Sequence, residues 1–491
     1  MSLPLFMQNG VDYEEALRED PYLGYRSIEA AQSDCKASSQ LEVLGRLLNR
    51  ESIFVSGIAG SGKSSIVNPF VNYLKQEFPE ISVAVVAPTG AAAANIGGVT
   101  LHRWAGVFVK DDKVLFTRKN ALADVDVLVI DEVSMLPAYL FEGLDRALQV
   151  AKRVWKPFGG VQVVLMGDFM QLPPVPTEGQ DSRFAMFSKS WKKLNPKCCF
   201  IDKTRRASDP RLQKVLSDIT RETVDDETRA LIDSRLGLPR EEDRAYVNLF
   251  TTNRKIDSYN MQKLSELSTP SMFFEPVLDA YTAKAQKAVE AEARKFDATK
   301  PVELKVGCPV LLTKNHYIDE ELYPNGSLGK VVDLHPEFAT VRFNDGSVHP
   351  ISFIESPVVE NAKAQRRVRG ETKTVNTEKA IGLIRYLPLR LGYATSVHKS
   401  QGQTCDGVVA DLNNIFTPGL GYVALSRVRN LDDLIISRLS PKIYDVDPAS
   451  AKITRHVKHA ALKSRQEFAA NVDDYNALLT NTLARIGVWG S

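Results

Sequence analysis

Four short apolar runs mark the first third of this chain: Ile53-Phe54-Val55, Ile81-Ser-Val-Ala-Val-Val-Ala87, Val125-Asp-Val-Leu-Val-Ile130 and Val161-Gln-Val-Val-Leu-Met166. Each reads as a strand buried on both faces, and helix-compatible segments separate them. That alternation predicts one parallel sheet with helices on both faces. Further along, Gly329-Lys-Val-Val-Asp, Ala339-Thr-Val-Arg-Phe and Ser347-Val-His-Pro-Ile read as short strands, with a turn at Asn344-Asp-Gly346. An Asp-Gly between apolar alternations is a hairpin signal, and the group suggests a small barrel. Residues 361–380 are rich in charge (Lys363, Arg366, Arg367, Arg369, Lys373) and read as a hairpin or loop of the same region. Residues 1–40 are polar, with helical patches, and 446–491 read as a helical extension interspersed with Lys452, Arg455, Lys458 and Lys463.

Length and composition narrow the class. At 491 residues the chain is too long for one core. Its 44% hydrophobic and 25% charged content is that of a soluble globular protein. A net charge of +2 places any nucleic-acid surface in a local groove instead of a basic bulk. The five cysteines (Cys35, Cys198, Cys199, Cys308, Cys405) have no metal-ligand spacing, and their odd number fits a reducing cytoplasm. The pair Cys198-Cys199 reads as half-buried strand. No apolar run reaches the roughly 18 residues of a membrane span, and the first residues lack the charged and apolar regions of a signal peptide.

The candidate chemistry sits at the ends of the apolar runs. Gly57-Ile-Ala-Gly-Ser-Gly-Lys-Ser64 follows the first of them with the spacing G-x-x-x-x-G-K-S. Backbone N–H groups of such a loop, with Gly57, Gly60, Ser61, Gly62 and the following Ser65, cradle phosphate at a helix N-terminus. Lys63 is placed to reach the β- and γ-phosphates and Ser64 to bind Mg²⁺. A chance match in a chain of this length is expected only about 0.02 times from typical residue frequencies. The third run ends in Asp131-Glu132, at the strand end where α/β sheets place ligands. There Asp131 suits Mg²⁺, partly through water, and Glu132 suits activation of the attacking water. The fourth run leads to Asp168 and to Gln171, a candidate γ-phosphate sensor. The second run leads to Pro88-Thr89-Gly90, small residues that permit close backbone approach, and then to Thr100, His102, Arg103 and Trp104, candidates for phosphate contact or base stacking. Gln40 carries the paired donor and acceptor that an adenine edge needs.

These segments together resemble motifs I, Ia, II and III of superfamily 1 helicases. The stretch Lys156-Pro-Phe-Gly-Gly-Val-Gln-Val-Val-Leu-Met-Gly-Asp-Phe-Met-Gln-Leu-Pro-Pro-Val175 is similar to the PIF-type, RecD-like and Dda-like 5′-to-3′ branch. Leu249-Phe-Thr-Thr-Asn253 looks like the opening of that branch's second motor domain. The run 387–404, with Thr395, His398, Lys399, Gln401 and Gly402, resembles motif V, and Tyr422-Val-Ala-Leu-Ser-Arg-Val-Arg429 resembles motif VI. The chain departs from the family at motif IV, where Thr204-Arg205-Arg206 stands in place of Phe-Arg-Gln, so that Arg205 aligns best as the finger and Arg206 stays an alternative.

The resemblance implies an α/β fold with two RecA-like P-loop motor domains, a wedge insertion in the first and a small Src-homology-3-like β-barrel in the second. The expected division is an accessory segment at 1–40, a first motor domain at 41–200 with the wedge at about 105–122, a second at 201–300 and 385–445, the barrel at 301–384 and the extension at 446–491. It further implies that Arg427 and Arg205 stabilise the γ-phosphate from the second domain. Pro88, Thr89, Gly90, Thr100, His102, Asn253, Thr395, His398 and Lys399 are expected to meet single-stranded DNA, with Gln401 and Gly402 nearer the nucleotide. The expected activity is an ATP- and Mg²⁺-dependent helicase moving 5′ to 3′, monomeric, with partners that are single-stranded DNA, DNA junctions and single-strand-binding or replication proteins. Its expected place is the cytoplasm, in a bacterial nucleoid or a phage-infected cell, with the nucleus an alternative. A DNA-stimulated ATPase that remodels protein–DNA complexes without processive unwinding is the competing reading. A P-loop kinase or GTPase is a further class; the guanine-specific Asn-Lys-x-Asp pattern is absent, and one domain would suffice for a kinase.

Overall fold

The computed structural model describes residues 39–470, apart from 111–112, 118, 175–182, 202–208, 242–245, 296–297, 315, 319–320, 324–325, 369–370 and 402–404. The chain divides into two compact units, one formed by Met1–Thr251 with Ser396–Ser491 and the other by Thr252–Thr395.

In the first unit the four apolar runs lie side by side. The sheet order is Val99–Thr100, Val83–Ala87, Val127–Ile130, Gln162–Met166, Ile53–Gly57 and Lys197–Ile201, with every neighbouring pair parallel. Alternation within each strand divides the side chains between two cores. Ile53, Val55, Val127, Val129, Val164 and Met166 meet Val67, Phe70 and Val71 of the helix Ser64–Glu77. Phe54, Leu128, Ile130, Val163 and Leu165 meet Phe141, Leu144 and Leu148 of the helix Ala138–Lys152. Full burial on both faces is why these runs are apolar throughout. The two edge strands were less visible in the pattern: Val99–Thr100 is only two residues long, and Lys197–Ile201 begins on an exposed lysine. Cys198 and Cys199 lie in that edge strand, half-buried and buried. Burial pushes both thiols up, Cys198 to about 12, so neither is poised for redox chemistry.

The same unit holds a second parallel array, in which Val408–Leu412 lies between Val247–Phe250 and Leu434–Leu439. Its core gathers Leu249, Val408, Ala410, Leu434 and Ile436 with Leu212, Val215, Leu216 and Ile219 of the helix Pro210–Arg221. Ala59, Met170 and Leu172, from the loops of the first sheet, join that core. Residues 105–122 contain an antiparallel hairpin, Val107–Lys110 with Lys113–Phe116. Its Phe116 approaches the backbone of Gly143 on the helix Ala138–Lys152, where an added Cβ would lie 3.1 Å from the ring.

The described part of the C-terminal extension holds a 23-residue helix, Pro448–Ala470. Ile453, Val457 and Ala461 enter one core of the first sheet and Phe468 enters the other. A buried ionic cluster fastens it. Arg46 donates to Glu42 and to the Ser464 carbonyl, and Arg465 donates to Glu42 and to the Phe200 carbonyl.

In the second unit, Val348–Ser352, Phe338–Phe343, Leu328–His335, Pro309–Leu312 and Leu389–Leu391 form a five-stranded antiparallel sheet in that order. The expected turn at 344–346 is present, with Gly346 in the left-handed region (φ 89°) and the Asp345 carboxylate accepting from the Ser347 N–H. Residues 361–380 belong to a separate ribbon: Ile354–Val368 pairs antiparallel with Glu371–Tyr386, which also pairs with Val277–Ala280.

Candidate active site

The glycine loop leaves the strand Ile53–Gly57 under tight packing. A Cβ on Gly57 would lie 2.5 Å from the Ile201 carbonyl oxygen and 2.6 Å from Ser61 Oγ. Gly60 and Gly62 take positive φ angles of 76° and 81°, open to glycine, on the way into the helix Ser64–Glu77. Lys63 caps that helix, and its ammonium donates back to the carbonyls of Gly57 (3.0 Å) and Ile58 (3.4 Å). The ammonium is thereby folded back onto the glycine loop. Ser64 and Ser65 open the helix, and Gln40 lies on the helix Ser39–Leu48; the side chains of all three are outside the described residues, as are Arg205, Arg206 and Gly402.

Asp131 and Glu132 follow the strand Val127–Ile130, at its C-terminal end. Asp131 Oδ1 accepts the Glu132 N–H at 2.8 Å. Burial, and then the charge of Glu132, push the Asp131 carboxyl up to about 7, against the opposing pull of Lys63. Glu132 sits in the left-handed region (φ 49°), an uncommon conformation for a glutamate and one that concentrates at functional sites. Its Oε2 accepts from Gln401 Nε2 at 3.4 Å.

Asp168 and Gln171 lie in the loop after Gln162–Met166. Asp168 Oδ1 accepts the Met170 N–H at 3.0 Å, and Oδ2 accepts the Tyr422 hydroxyl at 2.9 Å. The same hydroxyl accepts the Ala59 N–H at 2.8 Å. Arg427 is fully buried, and its guanidinium donates to the Val423 carbonyl, the Ser400 carbonyl and Ser426 Oγ. Three buried polar atoms here, Ser61 Oγ, Gln171 Oε1 and Gln401 Oε1, make no hydrogen bond within the protein. Buried polar atoms are normally satisfied, so each of these three has bonding capacity left for a polar ligand.

The expected nucleic-acid residues fall into two sets. In the first unit, Pro88, Thr89 and Gly90 follow the strand Val83–Ala87. Thr89 Oγ1 accepts the Ala92 N–H, and Thr100 Oγ1 accepts the Arg103 N–H, so both hydroxyls cap short helices. His102 is exposed. Lys399 is exposed and donates its N–H to Ser396 Oγ. His398 stacks on Phe416, ring centroids 5.9 Å apart and planes 16° apart. Asn253 opens the helix Asn253–Ser265 of the second unit, to which Thr395 also belongs.

Two residues of this neighbourhood escaped the pattern reading. Tyr422 lies in the apolar helix Leu420–Leu425 and looks like ordinary core, because nothing local reveals where its hydroxyl goes. Phe416 is 56% exposed, an unusual position for a large aromatic, and only its exposure beside His398 singles it out.

Residues 39–231 match the family model described as PIF1-like helicase. The chain is 30% identical over 422 residues to the ATP-dependent DNA helicase Pif1 of Bdellovibrio bacteriovorus, covering 83% of this chain and 89% of that protein. It is 32% identical over 441 residues to the human ATP-dependent DNA helicase PIF1, covering 86% of this chain and 63% of the human protein. Among solved structures, the Bacteroides Pif1 helicase in complex with ADP-AlF3 and single-stranded DNA superposes with a TM-score of 0.71 at 26% identity, over 87% of this chain and 98% of that one.

Proposed function

The chain belongs to the PIF1-like helicases, and from that membership we propose that it is an ATP-dependent DNA helicase that moves 5′ to 3′ along single-stranded DNA and separates the duplex ahead of it. The observation that carries this reading is the hydrogen bond from Gln401 to Glu132. Gln401 stands three residues beyond His398, in the turn expected to meet DNA, and Glu132 is the carboxylate expected to activate water. A strand seated on that turn can thereby alter the base at the nucleotide.

Each group then has a role set by its position. The loop N–H groups and Lys63 hold the β- and γ-phosphates. Glu132, buried and supported by Gln401, orients the attacking water and takes its proton. Gln171 and Ser61 offer buried polar atoms to the nucleotide. Arg427 supplies positive charge that does not titrate, and its present bonds to carbonyls keep it desolvated and ready to meet an anion.

Mg²⁺ takes one or two protein oxygens and completes its shell with phosphate and water, and the buried Asp131 carboxyl at the strand end offers such an oxygen. Asp131 and Ser64 would hold it, and the ion would neutralise phosphate charge.

The deciding experiment is strand displacement with ATP on 5′-tailed and 3′-tailed duplexes. Faster opening of the 5′-tailed substrate is expected. A preference for the 3′ tail would refute the direction, and DNA-stimulated hydrolysis without displacement of either substrate would favour a remodelling translocase.

A further inference from the structure

The Tyr422 hydroxyl holds together three stretches of chain that are far apart in sequence. Its ring is fully buried, its oxygen accepts the Ala59 N–H, and its proton goes to Asp168 Oδ2. Ala59 is the third residue of the glycine loop, Asp168 belongs to the loop carrying Gln171, and Tyr422 belongs to the short helix Leu420–Leu425 that leads into Arg427. Asp168 is itself pinned by the Met170 N–H, so the acceptor cannot swing to follow the phenol.

The helix carrying Tyr422 is seated without slack. Gly419 precedes it in the left-handed region (φ 86°), and a Cβ there would stand 3.1 Å from the Met170 carbonyl oxygen. A Cβ on Gly421 would stand 2.0 Å from the Ile443 carbonyl oxygen. Arg427 Nε bonds the Val423 carbonyl, one residue beyond Tyr422. A shift of the phenol against the loop therefore carries the arginine with it. Burial and the neighbouring Asp168 charge push the phenol well above its ordinary value, so it stays protonated and keeps its donor.

We propose that Tyr422 is a positioning residue for ATP hydrolysis: its hydroxyl sets the register between the phosphate-binding loop, the Asp168–Gln171 loop and the helix that carries Arg427. This rests on the helicase reading above, and it adds a residue that acts through its neighbours and not on the nucleotide.

The test compares wild type with Tyr422→Phe, Asp168→Ala, Asp168→Asn and the double variant Tyr422→Phe/Asp168→Ala, measuring ATP hydrolysis with saturating single-stranded DNA, KM for ATP, Kd for DNA and thermal unfolding. Misplacement of a catalytic group by about 1 Å can cost about 100-fold, so Tyr422→Phe should lower kcat by about 10- to 100-fold, leaving KM and the DNA Kd within about twofold. Asp168→Ala should match it, the double variant should be no worse than either single one, and Asp168→Asn, which keeps an acceptor oxygen, should recover most of the rate. Undiminished kcat in Tyr422→Phe, a change confined to KM, or multiplicative losses in the double variant would each overturn the assignment. Should Tyr422→Phe fail to fold, unchanged kcat in Asp168→Ala overturns it alone, and a loss there of about 10- to 100-fold that Asp168→Asn largely restores sustains it. Failure of the broader reading looks different: wild type itself would show no DNA-stimulated hydrolysis.

Discussion

In the proposed mechanism Glu132 is the base, a carboxylate held at a positive φ and joined to Gln401. Replacing it with glutamine keeps the shape and removes the proposed base. Glu132→Gln should lower ATP turnover about 10²- to 10⁴-fold, the usual reach of general base catalysis, with nucleotide and DNA binding retained in equilibrium titrations. Phe416 presents the opposite case, an exposed ring whose partner is His398. A base stacked on such a ring gains about 1–3 kcal/mol, so Phe416→Ala should weaken single-stranded DNA binding by roughly that amount in fluorescence titration, while hydrolysis without DNA is unchanged. Unaltered affinity would remove the ring from the track. At this scale legibility followed locality. Lys63 and Asp131 stand out as candidates because phosphate and metal chemistry impose short, fixed spacings on a chain. Tyr422 and Phe416 do not, because their partners lie far away in sequence and only side-chain direction brings them together.

Among the elements, the helix Pro448–Ala470 is the one whose role the pattern left open. Helical spacing was visible; that it would lie against the strand Lys197–Ile201 and the helix Ser39–Leu48 was not, since its anchors are Arg46, Glu42 and Phe200, more than 200 residues away. The helix also carries a titratable weakness. Burial, and then His459, push His456 down to about 4. It borders a cavity of about 290 Å³, which Lys192, Lys197, Lys463 and Glu467 also line. In the folded chain this imidazole is neutral, whereas in the unfolded chain it gains a proton below about 6.5. Stability is thus fully present above that pH and is lost as pH falls towards 4, by up to roughly 3 kcal/mol at 1.36 kcal/mol per pKa unit. Denaturant titrations at pH 7.5 and 4.5 should show the loss, and His456→Gln should shrink it; an equal loss in that variant would place the cause elsewhere.

For the whole molecule, a net charge of +2 means that affinity for DNA cannot come from a general positive field. The polar groups expected along the strand are largely hydroxyls, amides and backbone N–H groups, which release few counterions. With roughly 0.7 counterions released per neutralised phosphate on single strands, the slope of log K against log salt should be shallow, no steeper than about −3; a slope near −6 would reveal a basic surface in control. Four central strands, the glycine loop and the Asp131-Glu132 pair were dictated by local order along the chain. Burial on both faces demands continuous apolar runs, and phosphate binding demands a particular turn. The joining of Ala59, Asp168 and Tyr422, the seat of Arg427 among carbonyls, the docking of the helix Pro448–Ala470 and the grouping of Thr252–Thr395 as a unit came only with folding. The physical reason is the same for each: hydrogen bonds and packing between distant segments depend on where side chains point in space, and periodicity along one segment carries no record of the segment it will meet.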